Sequence, residues 1–190
     1  MSHYVAQPYV SGSPNSEIQG VSMTSLIDNV EADMVAPLLA KHGLANPDLT
    51  SWHPFQTWLN VLKDLGNALG SSNAYIAIGR RAVENVILAP EVNSIPTVLP
   101  LLQIIYGVYI RNTPEGEGYF IEKKGETQYW MYHNTPHPDD LIYGYIWGLV
   151  ARFKKPDEHF IVRILPNPHP EIHAGTVFEV KWGPKTESLA

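Results

Sequence analysis

Apolar residues recur at steps of three and four along the first 110 residues, which is the spacing of one face of an α-helix. The pattern predicts a helix from Ser22 that Pro37 kinks or divides and that stops at Gly43. Further helices are predicted over residues 54–70, 74–88 and 97–111. The last of these is apolar nearly all round, so we expect it to be central and buried.

The pattern changes at Glu115, where apolar and polar residues begin to alternate as they do along β-strands. Residues 118–133 predict a β-hairpin, and a helix that ends near Lys154 follows it. Two more strands are predicted over residues 158–166 and 176–182. The fold class is therefore α+β: N-terminal helices packed on a C-terminal four-stranded antiparallel sheet with one inserted helix, in the order β-β-α-β-β.

The length of the chain, 190 residues, suits one well-packed domain and is too short for two ordinary ones. Residues 1–16 are rich in Ser, Pro, Gly and Asn, which predicts a flexible N-terminal arm. We expect the domain to span residues 17–183 and a C-terminal tail to occupy residues 184–190.

Composition and charge narrow the possible partners. The formal net charge of −6, without a basic stripe, argues against nucleic acid. The chain has no cysteine, which excludes disulfides and thiolate metal sites. No apolar run approaches the roughly 18 residues that a membrane helix needs, and the N-terminus lacks the pattern of a signal peptide. We therefore expect a cytoplasmic protein without a membrane span.

The His-Pro-Asp-Asp segment at residues 137–140 allows two interpretations. It resembles the motif of the zinc-dependent deacetylases that remove acetyl groups from amino sugars. In those enzymes zinc is held by N and O ligands around an open position, and a carboxylate takes a proton from the bound water. The resemblance implies a zinc-dependent amide hydrolase with zinc ligands at His137 and Asp140, a general base at Asp139, and a third ligand at His169 or His173.

The same segment also has the composition of a helix start that needs no metal. Thr135 or His137 can act as the cap, and Pro138 suits the first helical position because its missing N–H would have no partner there. Asp139 and Asp140 then stand in the first turn, where the helix dipole favours negative charge. A catalytic role is therefore uncertain, and we expect a protein that is not an enzyme.

A broader similarity covers roughly residues 17–182. The stretches TPHPDDLIYGYIWGLVARF (135–153) and AGTVFEVKW (174–182) contain its ordered glycines and aromatic residues, and IQGVSMTSLI, WHPFQTWLNVLKDLG and YIAIGRRAVEN agree more loosely. In these features the chain resembles the H-NOX (haem NO/O2-binding) and vinyl-reductase-like ligand-binding domains of a bacterial sensory superfamily. The resemblance implies a non-enzymatic domain that binds a small molecule and acts in trans on a signalling partner. It also implies a homodimer, since such relatives often pair.

The chain departs from that superfamily at its metal-binding positions. Several relatives hold zinc through cysteines, whereas here Asp139 stands where the first cysteine would align. The gas-sensing relatives bind haem iron through a histidine and hold the propionates with a Tyr-x-Ser-x-Arg motif, which the stretch YIRNTPE (109–115) does not supply. We therefore expect no cofactor, with haem or zinc not favoured.

The ligand implied by this resemblance is small and apolar or aromatic, in a pocket between the central helices and the sheet. Glycines on the helix after the hairpin would let a ligand approach the backbone, and Arg80 could anchor a carboxylate or phosphate. The candidate ligand-binding residues are Trp58, Leu62, Tyr75, Arg80, Ile105, Tyr106, Tyr109, Trp130, Gly144, Trp147 and Gly148. Buried aromatic residues also simply fill space, so an interaction or scaffold protein with a filled core is the remaining alternative.

Overall fold

The computed structural model describes residues 4–28, 30–84, 86, 88–186 and 188–189, without the side chains of residues 24–26. Its helices are α1 Gly20–Ile27, α2 Ala32–Lys41, α3 Phe55–Leu69, α4 Ser72–Ala82, α5 Ile95–Val98, α6 Leu101–Tyr109 and α7 Asp139–Phe153. Its strands are β1 Glu17–Gln19, β2 Trp52–Pro54, β3 Ile110–Arg111, β4 Gly118–Gly125, β5 Gln128–Asn134, β6 Glu158–Leu165 and β7 Thr176–Pro184.

The C-terminal half forms a four-stranded antiparallel sheet in the order β4-β5-β7-β6. Helix α7 connects β5 to β6 and packs on one face of the sheet, where Ile146 and Leu149 share a core with Met131, Phe178 and Val180. The predicted α+β class and the β-β-α-β-β order are confirmed. The alternation along β4, β5, β6 and β7 was long enough to define each strand.

A second, three-stranded antiparallel sheet has the order β2-β1-β3 and was not predicted. Ile18 lies at its centre, paired with His53 on one side and Ile110 on the other. Strands of two or three residues are too short to show an alternating pattern, so the sequence gives no signal for them.

The N-terminal helices are more divided than predicted. The first break comes between α1 and α2, whereas Pro37 lies inside α2. Gly43 follows the end of α2 with φ of +74°, a conformation that favours glycine. Helix α4 ends at Ala82 rather than at residue 88, and residues 85 and 87 of the predicted extension lie outside the described residues.

Helix α6 is not the buried central helix that its apolar sequence predicted. Pro100 divides the predicted segment into α5 and α6. Leu102 and Tyr106 face the interior, whereas Ile104 and Val108 are 62% and 55% exposed. A helix that is apolar on every side can bury any of its faces, so its sequence does not predict which face is buried. Among the described residues, no helix is long and apolar enough to cross a membrane.

Helices α4 and α7 pack backbone against backbone through three glycines. A Cβ atom added to Gly144 would lie 2.9 Å from Ile76 Cα, and one added to Gly148 would lie 2.8 Å from the Arg80 carbonyl oxygen. On the α4 side, a Cβ atom on Gly79 would lie 2.8 Å from the Tyr145 backbone nitrogen. These distances are too short for a real side chain, so the glycines are needed for the crossing itself.

Residues 4–16, within the segment predicted to be a flexible arm, make hydrogen bonds to the rest of the domain. The Tyr9 N–H donates to the Pro136 carbonyl at 2.8 Å, and the Ala6 N–H donates to the Asn134 side chain at 2.8 Å. The Ser11 N–H donates to the side chain of Gln56 on α3 at 2.8 Å. This segment therefore crosses the region where β5 ends and α7 begins.

Candidate functional site

Buried and partly buried polar and aromatic side chains gather where α6, β4, the end of β5 and the start of α7 meet. We call this group the His137 cluster, and its members are Tyr106, Glu117, Tyr119, His133, Thr135, His137 and Asp139. Thr135 and His133 are almost fully buried, with exposures of 4% and 3%. Buried polar groups need hydrogen-bond partners, and in this cluster they find them in one another.

A chain of hydrogen bonds runs through the cluster from a carboxylate to an imidazole. Asp139 Oδ1 lies 3.0 Å from His133 Nδ1, and His133 Nε2 lies 2.6 Å from Thr135 Oγ1. Thr135 Oγ1 in turn lies 3.2 Å from His137 Nδ1. The hydroxyl of Thr176 on β7 donates to Asp139 Oδ2 at 2.7 Å, so the start of α7 is tied to two strands.

The charge states follow from this arrangement. Burial alone would raise the pKa of Asp139, but hydrogen bonds from His133 and Thr176 outweigh it and hold the pKa below its ordinary value. Burial, together with nearby His133, lowers the pKa of His137 to about 3. Asp139 is therefore an anion and His137 a neutral imidazole at neutral pH.

The proton positions can be assigned for a neutral His133. Its Nδ1–H donates to the Asp139 carboxylate, so its Nε2 accepts the hydroxyl proton of Thr135. The Thr135 oxygen is then left to accept from Nδ1–H of His137. His137 keeps a lone pair on Nε2, which is the form of histidine that binds metal ions.

Aromatic rings surround the two histidines. The His137 ring centroid lies 5.4 Å from that of Phe55 on α3 and 6.4 Å from that of Tyr106. Tyr119 stacks on His133 with centroids 5.5 Å apart and meets Tyr106 edge-on at 5.7 Å. The cluster thus offers an apolar, flat-walled environment around a neutral imidazole.

Glu117 joins the cluster to the N-terminal segment. Tyr106 donates its hydroxyl proton to Glu117 Oε1 at 2.6 Å, and Tyr4 donates to Glu117 Oε2 at 2.7 Å. Burial, reinforced by the Glu117 carboxylate, raises the pKa of Tyr106 well above its ordinary value. Both phenols therefore remain protonated, and residues 4–16 cover one side of the cluster.

The predicted ligand-binding residues fall into several separate places. Trp58, Leu62 and Tyr75 are packed in the N-terminal core, where the Tyr75 hydroxyl donates to the Leu62 carbonyl. Ile105 and Tyr109 are half-buried on α6, whose Tyr106 reaches the His137 cluster. Their role in ligand binding stays a prediction, but only Tyr106 of these six lies in the cluster.

Trp130 lies on the opposite face of the sheet from α7. Its indole N–H is 3.4 Å from the Glu179 carboxylate, and Lys124 lies over its ring at 4.2 Å from the centroid. Gly144 and Gly148 face the backbone of α4, which fills the space that a ligand would need there.

Three predicted residues meet in an open cleft between α4 and α7 that we call the Arg80 cleft. Its volume is about 420 Å³, and its lining includes Arg80, Glu84, Trp147, Gly148, Ala151 and Arg152. The cleft and the His137 cluster lie toward opposite ends of α7.

The alternative zinc ligands are not brought together. His173 stacks on Phe120 with centroids 3.7 Å apart and also contacts Tyr132. Tyr132 and His133 are neighbours along β5 and point to opposite faces of the sheet, so His173 and His137 lie on different sides. Within the described residues, no three His, Cys, Asp or Glu side chains are placed to hold a metal ion. Helix α7 begins at Asp139, one residue later than predicted, and Pro138 precedes it.

Sequence reasoning missed most of the His137 cluster. Glu117 directly precedes the predicted hairpin, Tyr119 and His133 lie in it, and Thr135 was considered only as a helix cap. Their hydrogen bonds join residues up to 113 positions apart, as for Tyr4 and Glu117. The run HNTPH (133–137), which places two histidines among polar residues at the end of a predicted strand, was the one local signal in the sequence.

No protein-family model matches the sequence, and no curated protein matches it either. Solved structures do match by fold. An H-NOX protein from S. oneidensis in the Fe(II)NO ligation state is 13% identical, with a TM-score of 0.61 over 88% of this chain and 99% of that one. The Fe(II) unliganded H-NOX protein from K. algicida is also 13% identical, with a TM-score of 0.60 over 91% and 99%. A structure from work on haem redox potential and porphyrin distortion has a TM-score of 0.59 at 12% identity, over 85% and 96%. The chain therefore has an H-NOX-like fold, as the sequence resemblance implied.

These neighbours correct the expectation about cofactors. The expectation of no cofactor is wrong, because the similar structures are those of haem proteins and make haem a plausible cofactor of this chain. The His137 cluster fits one part of a haem: a neutral imidazole with a free Nε2 lone pair among aromatic rings. Its ionised groups are carboxylates, and among the described residues no Arg or Lys hydrogen-bonds to them. The cluster thus offers an iron ligand but no cation for the propionates.

Proposed function

We propose that this chain is a non-enzymatic, small-molecule-binding sensory domain that acts in trans on a signalling partner, and that its ligand binds at the His137 cluster. The observation that carries the proposal is the neutral imidazole of His137, held by Thr135 and enclosed by Phe55 and Tyr106. Mostly apolar surroundings with a few placed polar groups are typical of small-molecule binding. The H-NOX-like fold supports the same proposal.

Haem is the first ligand to test at this site. His137 Nε2 would ligate the iron, while Nδ1–H stays bonded to Thr135, as metal-bound histidines usually donate their second N–H to a neighbour. Bound haem would supply an iron position at which a diatomic gas can be held. Thr135, His133 and Asp139 would orient the imidazole, and the surrounding rings would exclude water.

The test is a haemin titration of the purified protein followed by its Soret absorption. We expect a saturable Soret shift in the wild type and its loss in His137→Ala. The matched control is His173→Ala, which removes a histidine on the other side of the sheet and should leave the titration unchanged. Equal loss in both variants would contradict the role given to His137.

A haem-free ligand is tested on the same proteins when the wild type takes up no haemin. Small aromatic probes such as indole should then raise the melting temperature of the wild type more than that of Tyr106→Ala, which alters the wall of the cluster. If neither haemin nor aromatic probes bind, the sensory proposal is wrong. An interaction or scaffold protein with a filled interior then becomes the better account.

We further propose that the domain forms a homodimer through the outer face of α6. Ile104 and Val108 are exposed there, and the helix carries no charged residue. Two copies that each have a net charge of −6 repel except where they meet through an uncharged surface.

Sedimentation should show a dimer that Ile104→Glu weakens by at least about ten-fold in dissociation constant. Ile172→Glu, at an isoleucine that is 53% exposed between β6 and β7 and away from α6, is the matched control and should leave the dimer unchanged. A monomeric wild type would contradict the proposal.

A further inference from the structure

The Arg80 cleft has properties of a second binding site that differ from those of the His137 cluster. The cleft is open to solvent because α4 ends at Ala82 while α7 continues for five residues beyond Gly148. At its base Gly148 packs against Val83 and the backbone of Arg80, and Ala151 adds only a methyl group. The result is a recess of about 420 Å³, which is within the size range of small-ligand sites.

The guanidinium of Arg80 is held in this cleft by stacking, and its donors make no hydrogen bond to the residues that the structure describes. Its Cζ atom lies 3.6 Å from the centroid of the Trp147 ring, and Trp147 is itself packed against Phe160 at 5.1 Å. Among the described residues Arg80 makes no ion pair, although Glu84 lies one helical turn away. A guanidinium that stacks on an aromatic face keeps its N–H edge available for a carboxylate.

Arg152 supplies a second oriented guanidinium at the same cleft. Its Nη1 donates to the carbonyl oxygens of Val83 at 2.7 Å and Val86 at 2.9 Å, which fixes the side chain at the end of α4. These bonds use Nη1, and the other guanidinium nitrogens have no hydrogen bond within the described part of the chain. The cleft therefore contains two positioned cationic groups with spare donors.

Glu84 limits which anions suit this cleft. Its carboxylate lines the recess together with the two arginines, so a ligand with several negative charges would be repelled at one side. A single carboxylate can pair with the guanidinium groups, and the planar guanidinium of Arg80, stacked on the Trp147 ring, offers a flat surface to an apolar body. The chemistry thus favours a singly charged ligand over a phosphate.

We propose that the Arg80 cleft binds a monocarboxylate with a flat apolar body, with Arg80 as the principal anchor and Arg152 as the second cation. This site is independent of the His137 cluster, so it stands or fails separately from the proposed function. An aromatic carboxylate is the simplest ligand of this class.

The test is an NMR titration with benzoate that follows the indole N–H of Trp147, with benzamide as the uncharged counterpart. We expect benzoate at millimolar concentration to shift the Trp147 signal and benzamide to shift it much less. Arg80→Gln should weaken benzoate binding by about ten-fold or more, since a charge-assisted pair is lost. Glu84→Gln should strengthen it.

The matched control is Arg81→Gln, which removes the same charge from an exposed neighbour outside the cleft. That variant should bind benzoate within about two-fold of the wild type, as expected for an exposed charge. Three results would each overturn the proposal: no shift of Trp147 with benzoate, equal binding of benzamide, or equal weakening in Arg80→Gln and Arg81→Gln.

Discussion

The two ends of α7 show different uses of charged side chains on one helix. At its start, Asp139 is bound by His133 and Thr176, so its carboxylate oxygens both have internal partners. Near its end, Arg152 bonds to two carbonyl groups, and Arg80 lies beside it with no ion pair in the described residues. At the first end, the charged group is satisfied by hydrogen bonds within the protein itself. The second keeps unused donors at an open cleft, which is what an external anion requires.

The close contact between α7 and α4 at Gly79, Gly144 and Gly148 lies between these two ends and fixes the position of both. The largest effect is therefore expected from Gly144→Ala, whose Cβ would lie 2.9 Å from Ile76 Cα. Separating the helices should lower the free energy of unfolding by about 3 kcal/mol. Urea denaturation measures this change.

Gly107→Ala is the matched control for that substitution. Gly107 lies on α6 with no atom within 4 Å of an added Cβ, so alanine should stabilise the protein by about 0.5–1 kcal/mol. Equal effects of the two substitutions would show that α4 and α7 do not touch through their backbones.

Asp139→Ala tests the start of α7. It leaves the buried Nδ1–H of His133 without an acceptor, which should cost about 2 kcal/mol of unfolding free energy. The neighbouring Asp140 makes no side-chain hydrogen bond among the described residues, so Asp140→Ala should cost only about 0.5 kcal/mol through the helix dipole. A larger effect at Asp140 would mean that the carboxylates have the opposite roles.

Arg152→Gln tests the open end in the same way. Loss of the bonds to Val83 and Val86 should lower the unfolding free energy by about 1 kcal/mol, less than at Asp139 because the site is exposed. Lys155→Gln, with 76% of its side chain exposed, is the control and should change little. If Arg152→Gln destabilises more than Asp139→Ala, the contrast between the two ends is wrong.

The pH dependence of stability gives a further test of the start of α7. His137 has a folded pKa of about 3, below the 6.5 or so of an unfolded histidine. The unfolded chain therefore binds more protons between about pH 6.5 and pH 3, and the stability contributed by neutral His137 declines as pH falls through that window. Asp139, whose pKa is also lowered, acts only at more acidic pH, as its carboxylate becomes protonated.

His137→Phe should flatten the loss of stability between about pH 6.5 and pH 4. His169→Asn, a half-exposed histidine in the β6–β7 loop, should leave the slope unchanged. The free energy of unfolding of both variants and of the wild type is measured across this pH range. An unchanged slope in His137→Phe would show that His137 can be protonated in the folded state.

Most of the C-terminal fold could be predicted from the sequence, because its strands and α7 are long enough to show their periods. The N-terminal half was less predictable. Pro100 favours a helix break, but the unbroken run of apolar residues around it led to the prediction of a single helix. The strands around Ile18 are too short to show an alternating pattern. The exposure of Ile104 depends on what packs against α6, which periodicity cannot show.

The candidate sites were less predictable than the fold. Arg80 and Trp147 were selected as separate candidates, yet they meet only because Gly144 and Gly148 bring α7 onto α4. The His137 cluster depends on β5, α6 and residues 4–16 coming together, so Tyr106 was selected but Glu117 and Tyr119 were not. Composition identifies such residue types, but distances between distant segments decide which of them form a site.

The most direct test of the central claim, a small-molecule site at the His137 cluster, is native mass spectrometry of wild type and His137→Ala, each as purified and after incubation with haemin. We expect a bound haem or another organic adduct on the wild type and less of it on His137→Ala, while His173→Ala, measured as the control, should retain it. A bare wild-type protein in both preparations, or an adduct that His137→Ala retains in full, would contradict it.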